Sequence, residues 1–371
     1  MNPTTQRKAA LLVALTVTAS LGLWAQTTTP PPQTFGTTIY FDYSFNATNN
    51  GYLTETDAAK ALNNKFAFRR AYFTYENRIN DSLKFRFRLD ADNTANITSI
   101  DFAKASTKKD DKLRPFMKHL YLDWAGHLPN SSLKIGMVET QAFKVAEDRW
   151  GFRSVAKTIL DGYKDITGVD TRTASADIGV NLTGSVNKYL RYGAMVVNGE
   201  GYSHPELNKY KKFAGYLQLI PVAGLNVWGY AETERLSDSA TAQMYKVDVY
   251  FDMIPKFNVS GEWFTYDSDS LFNKETQPDG SSVNRHYNAG GFSLFVTYRI
   301  ILDKLNVFVR FDSYRPDSTN DKKNLSLAIV GFDWAPIHGS WKIQPNVWFY
   351  GYKDAAKKGD IVANLTFFLS F

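Results

Sequence analysis

From residue 37 onward the chain alternates between apolar and polar positions. Its last stretch is the clearest: Ile361, Ala363, Leu365, Phe367, Leu369 and Phe371 interleave with Val362, Asn364, Thr366, Phe368 and Ser370. A second stretch sets Leu83, Phe85, Phe87 and Leu89 against Lys84, Arg86, Arg88 and Asp90. A helix, with its period of 3.6, cannot gather those four apolar residues on one face. A strand puts them on one side and the four charges on the other. The same spacing predicts sixteen strands, at 37–47, 65–77, 83–92, 115–124, 132–138, 174–186, 189–198, 210–220, 225–233, 242–253, 257–267, 286–299, 305–314, 324–335, 341–352 and 360–371.

The connections between these strands alternate in length. Short ones fall at 78–82, 125–131, 187–188, 221–224, 254–256, 300–304 and 336–340. Most of the others are longer, at 48–64, 93–114, 139–173, 199–209, 234–241, 268–285, 315–323 and 353–359. Tight turns on one side and long loops on the other are the mark of an all-β transmembrane antiparallel barrel, with the short turns in the periplasm. The terminal run also fits the 9–11 residues that a tilted strand needs to cross a bilayer. A large soluble β-sandwich or propeller alternates too. It does not require alternating loop lengths or a last strand ending flush at Phe371.

The first residues follow a different pattern. Arg7 and Lys8 precede an apolar run, Ala9–Leu23, and a small-residue site at Ala25, which together read as a signal peptide over 1–25. Pro30, Pro31 and Pro32 have no N–H to give a sheet, so 26–36 reads as a Pro-rich linker and 37–371 as the barrel. So short a linker leaves no room for a plug domain before the first strand, which argues against an energy-coupled transporter.

Composition agrees with a membrane barrel. The chain holds 26 Phe, 21 Tyr and 8 Trp, an aromatic load that suits a membrane interface. Its mean hydropathy is nevertheless −0.33, because half of each barrel strand faces water. There is no cysteine, which excludes a disulfide scaffold or thiolate metal site. Without Arg7 and Lys8 the formal charge falls from +6 to +4, too little to argue for nucleic acid.

The ending at Phe371, with apolar residues at every second position, resembles the C-terminal signature of bacterial outer-membrane proteins. The chain also resembles the phosphate-selective porin O/P-like group of the general porin superfamily. The stretches that carry this are Phe68-Arg69-Arg70-Ala71-Tyr72, Leu83-Lys84-Phe85-Arg86-Phe87-Arg88-Leu89-Asp90 and Leu133-Lys134-Ile135-Gly136-Met137, followed by a long loop with Glu147 and Arg153. The resemblance implies a homotrimeric porin in the outer membrane of a Gram-negative bacterium, surrounded by outer-membrane lipid and passing small polar or anionic solutes such as phosphate. It also implies that the third long loop folds into the lumen and narrows it.

The charged strand positions are candidates for the pore wall. Arg70, Lys84, Arg86, Arg88, Lys246 and Arg310 each share a strand face with polar residues. Turning such a charge toward lipid at the midplane costs about 2–4 kcal/mol, so the lumen is their expected side. The loop 139–173 adds Glu147, Arg149, Arg153 and Lys157 as constriction candidates. If Arg149, Arg153 and Lys157 faced Arg70, Lys84, Arg86 and Arg88, the opening would favour anions. Glu147 and Asp148 would instead give a mixed field. Tyr121 and Trp124, Trp334 and Trp341, and Trp348, Tyr350 and Tyr352 are expected in interfacial girdles, and Trp228 in the inward phase. No catalytic motif or cofactor signature stands out. The His residues lack HExxH spacing, there is no G-x-S-x-G elbow, and Asp267-Ser268-Asp269 lacks the Gly and Glu of a calcium loop. The competing reading is a non-conducting structural or adhesion barrel that acts through its outer loops.

Overall fold

A computed structural model describes residues 33–371, apart from 49–63, 93–95, 102–105, 111–113, Leu207, 278–279 and 338–339. The proposed signal peptide and the first part of the linker lie outside the described residues. The described chain forms twenty strands. Sixteen of them close into one barrel in the order β1(Gln33–Asn46), β2(Asn64–Arg78), β3(Leu83–Asp92), β6(Arg114–Ala125), β7(Ser131–Glu139), β8(Ala176–Ser185), β9(Leu190–Val197), β10(Lys212–Val222), β11(Leu225–Arg235), β12(Thr241–Phe251), β13(Phe257–Ser268), β16(Ala289–Ile301), β17(Leu305–Arg315), β18(Leu325–Ile337), β19(Trp341–Tyr352) and β20(Asp360–Ser370). Each strand pairs antiparallel with the next, and β20 closes on β1 with Phe41 opposite Phe367.

All sixteen barrel strands fall where the alternation puts them. β1 begins at Gln33, so the end of the expected linker already belongs to the sheet. Closure satisfies every strand's backbone and leaves no edge, which a strand in lipid requires. Two long loops carry hairpins that the sequence reading left as loop, β4(Asn96–Asp101) with β5(Ser106–Asp110) and β14(Phe272–Thr276) with β15(Ser282–His286). One expected long connection, 236–240, is no longer than the short turn 252–256 on the opposite side.

The two faces of the wall differ in chemistry. Along β12, Tyr245, Val247 and Val249 are exposed on the outside, while Met244, Lys246 and Asp248 are buried within. The outward Trp124, Trp334 and Trp341 sit near the short-turn ends of β6, β18 and β19, where a girdle belongs. Tyr121 and Tyr350 are buried instead, and Trp348 and Tyr352 follow the same inward parity as Asn346. These four are lumen residues, not girdle residues.

Candidate functional site

The lumen is divided by the third long loop, which leaves β7 at Thr140 and returns at Ser175. It holds two helices, α1(Gln141–Trp150) and α2(Ile159–Thr167). Each ends on a left-handed glycine, Gly151 at φ 71° and Gly168 at φ 74°, the backbone state that stops a helix at least cost. Ala142, Ala146 and Trp150 recur at helical spacing on the buried side of α1. That triplet, followed by Gly151, was the available sign of a helix in the sequence.

The loop lies inside the barrel because the inner wall of β12–β19 is built to receive it. Trp150 packs edge-on against Phe295 and Phe308, with ring centroids 5.6 Å away in each case. Tyr163 meets Phe264 and Tyr314 at 5.1 and 5.5 Å. Polar ties fix the register. The Ile159 N–H donates to Glu262 at 3.0 Å, Ser154 Oγ to Gln344 at 2.6 Å, and the Arg310 guanidinium to the Lys157 carbonyl at 2.5 Å.

Arg310 and Lys246 are therefore sealed under the loop and do not line the opening described next. Arg310 forms a fork with Asp312 at 2.6–2.8 Å, and Lys246 sits between Asp248 at 2.6 Å and Glu262 at 2.9 Å. Both follow the inward phase expected of them, but a lumen position is not a solvent position once a loop covers it.

The space that remains runs along the other side, against β1–β3 and β6–β7. An opening of about 600 Å³ is lined there by Tyr40, Tyr72, Arg86, Arg88, Lys118, His119, Lys134 and Glu139 on the wall. Lys144, Glu147, Asp148 and Arg153 line it from the loop side. Cations outnumber carboxylates around it. Glu139 alone takes Arg86 at 3.2 Å and Lys134 at 2.8 Å. Arg153 bridges Glu147 at 2.9 Å and Asp161 at 2.7 Å. Arg88 differs from these. It donates to Thr74 Oγ1 at 2.8 Å and stacks over Tyr72 at 5.1 Å, and among the described residues no carboxylate pairs with it.

The other expected site residues are spread out. Arg70 faces the lumen next to the opening, paired with Asp90 and Asp92 at 3.3 Å. Lys84 is exposed near the short-turn end of β3, away from the opening. Arg149 turns toward the opposite wall, 3.0 Å from Asp252 and 3.9 Å from the Tyr250 ring centre. Lys157 binds Asp165 at 2.6 Å and lines a separate recess. The expected confrontation of Arg149, Arg153 and Lys157 with the strand cations is thus made by Arg153 alone. Its cause is the helical turn of α1, which sends Arg149 to the other side.

Lys134 and Lys144 at the opening were not anticipated, and two further unanticipated lumen cations, Arg69 and Lys118, sit on β-bulges. Opposite β1 the pairing steps from Tyr40↔Arg70 to Phe41↔Phe68, so Arg69 is the extra residue. Opposite β3 it steps from Arg88↔His119 to Leu89↔Met117, so Lys118 is the extra residue. A bulge re-aims a side chain against strict alternation. Arg69 reaches inward to Asp42 and to the Ser154 and Val155 carbonyls of the loop. Lys118 reaches Asp90 at 3.4 Å and the Tyr202 ring at 4.7 Å.

The loop carboxylates respond to their surroundings. Burial raises Glu147 above its ordinary value, against the opposing charge of Arg153. Burial acts the same way on Asp161, but Arg153 and Lys157 outweigh it and hold that carboxyl low. Among the described residues no cluster of three or more metal-ligating side chains occurs.

No family model matches the chain, and no curated protein matches it in sequence. Its shape does match solved structures. OmpT of Vibrio cholerae aligns with a TM-score of 0.60 at 10% identity, over 94% of this chain and 100% of that one, and a trimer form of OmpT also matches. OmpF of Salmonella typhi, solved with daunomycin, aligns at 0.62 and 9% identity over 92% and 98%. An anion-selective porin from Comamonas acidovorans aligns at 0.61 and 10% identity over 92% and 99%. The shared property is the fold, a closed sixteen-stranded porin-like barrel. With its apolar exterior, this is the architecture of the Gram-negative outer membrane.

Proposed function

We propose that the protein is a passive outer-membrane pore for small polar solutes, with a preference for anions. The observation that carries this is Arg88, a cation on the wall of the opening that no carboxylate pairs with among the described residues. Arg86, Lys118, Lys134, Lys144 and Arg153 surround the same space against Glu139, Glu147 and Asp148. An excess of fixed positive charge in a narrow, partly desolvated passage raises the local anion concentration. Inorganic phosphate is the solute suggested by the resemblance to the O/P-like group. A homotrimer is suggested by the same resemblance and by the trimer form of OmpT. The segment 1–25 acts as the export signal in this reading, with 26–32 as the linker to the barrel.

The test is single-channel recording in a planar bilayer under a salt gradient. The expected result is a stable conductance with a reversal potential of anion-favouring sign. A purified barrel that carries no current would leave the non-conducting adhesion reading in its place. A cation-favouring reversal potential would remove the anion preference and keep the pore.

A further inference from the structure

A second recess lies on the other side of the loop, at the outer ends of β17–β19, and its chemistry differs from that of the opening. It encloses about 360 Å³ between α2 and the wall, within the range of small-molecule sites. Trp348, Tyr350 and Tyr352 form one side. They occupy alternate positions of β19 and so rise along one face at about 7 Å intervals. Leu325 and Ile166 add apolar surface. Trp348, Tyr352 and Leu325 on the wall and Ile166 on α2 are only partly buried, so part of this apolar surface stays open.

The charges at this recess are all balanced. Arg69 pairs with Asp42, Arg310 with Asp312, and Lys157 with Asp165. Among the described residues that line it, each cation has a carboxylate partner, unlike Arg88 at the opening. The exposed Lys157–Asp165 pair instead presents donors and acceptors together at the rim, opposite an aromatic wall. A ligand suited to both has one apolar face and a polar, uncharged edge.

We propose that this recess binds a neutral, hydroxyl-rich ring of the monosaccharide class. The C–H face of the ring packs on Trp348 and Tyr352 and leaves water. Its hydroxyls donate to the Asp165 carboxylate and accept from the Lys157 ammonium. This site goes beyond the anion path and does not depend on it.

The experiment is saturation-transfer NMR on the whole barrel in detergent micelles, with D-glucose and maltose as probes and benzoate as the charged aromatic control. Both sugars are expected to receive saturation, and benzoate to receive none. Trp348→Ala should weaken sugar binding roughly ten-fold, the loss of one aromatic contact. Leu325→Trp fills the recess while keeping Trp348, Tyr352, Lys157 and Asp165 and should abolish binding, which decides the matter if Trp348→Ala does not fold. Sugar binding that survives Leu325→Trp overturns the proposal, as does a barrel that binds neither sugar. Benzoate binding that depends on Trp348 overturns it in favour of an aromatic acid. The readout is binding, so a barrel without current would refute the pore and leave this result standing.

Discussion

The lumen has two walls that begin from the same sequence pattern and end differently. On β1–β3 and β6–β7, inward cations such as Arg86, Arg88 and Lys134 border open space. On β12–β19, inward cations such as Lys246 and Arg310 are sealed beneath the loop, each with its own carboxylates. What separates them is the partner surface. The second wall interleaves its charges with Phe264, Phe295, Phe308, Leu327 and Ile329, which give α1 and α2 an apolar bed. The first wall offers Arg70, Tyr72, Arg86 and Lys118 instead, a charged and polar surface that gives the helices no apolar bed. A single loop is thereby drawn to one side, and open space is left on the other.

Removing residues 145–165 is the most drastic way to erase this asymmetry, and conductance should rise several-fold because both walls would then face water. An unchanged conductance would place the loop outside the current path. The next largest contrast compares Arg310→Met with Arg88→Met. The first strands Asp312 in a buried site and should cost about 3–5 kcal/mol in denaturant unfolding. The second removes a charge that no carboxylate pairs with among the described residues, and its stability should stay within about 0.5 kcal/mol of the parent. Its anion-to-cation permeability ratio should fall instead, as measured by reversal potential. Equal stability losses in the two variants would dissolve the distinction between walls.

Glu147 gives a smaller, pH-dependent effect. Burial raises its pKa, so it takes up a proton earlier than an ordinary glutamate as the pH falls from neutral. The opening then loses a negative charge, and anion preference should increase over that window. A raised carboxylate binds its proton more tightly in the folded state, so stability should improve slightly in the same direction. Glu147→Gln should flatten this part of the profile, and a reversal potential that responds equally with and without Glu147 would assign the titration elsewhere. The smallest effect is expected at Lys144 and Asp148, a half-exposed pair one helical turn apart. Lys144→Ala should cost no more than about 0.5 kcal/mol, with a slight drop in anion preference. A large loss there would mean that this exposed pair helps to hold α1 in place.

The barrel was legible in the sequence because lipid enforces apolar residues along the outer face of nearly every strand. Val247, Val249 and Trp263 had nowhere else to go. The lumen was less legible because it answers to more than one partner. Lys246 and Arg86 have the same parity and flanks, and only the docked loop tells them apart. The helices of that loop were hidden in a region read for its charges, although Ala142, Ala146, Trp150 and Gly151 carried the signal. Parity also failed at Arg69, which strict alternation turns toward lipid. The cost of a midplane arginine there, about 2–4 kcal/mol, was itself the clue that the phase must break. Trp348, Tyr350 and Tyr352 were assigned to a girdle by type, when their parity with Asn346 already put them inside.

The two bulges have a consequence for how such a wall can vary over generations. Phe68 and Arg70 already lie on opposite faces, as do Met117 and His119, with the extra residue between them. Deleting Arg69 or Lys118 would leave a regular strand in which each neighbour keeps its side. One codon gained or lost therefore changes the fixed charge of the passage by a whole unit while the lipid-facing surface stays the same. Insertions and deletions, usually ruinous within a strand, become at these two points a way to change the charge of the lumen in single steps.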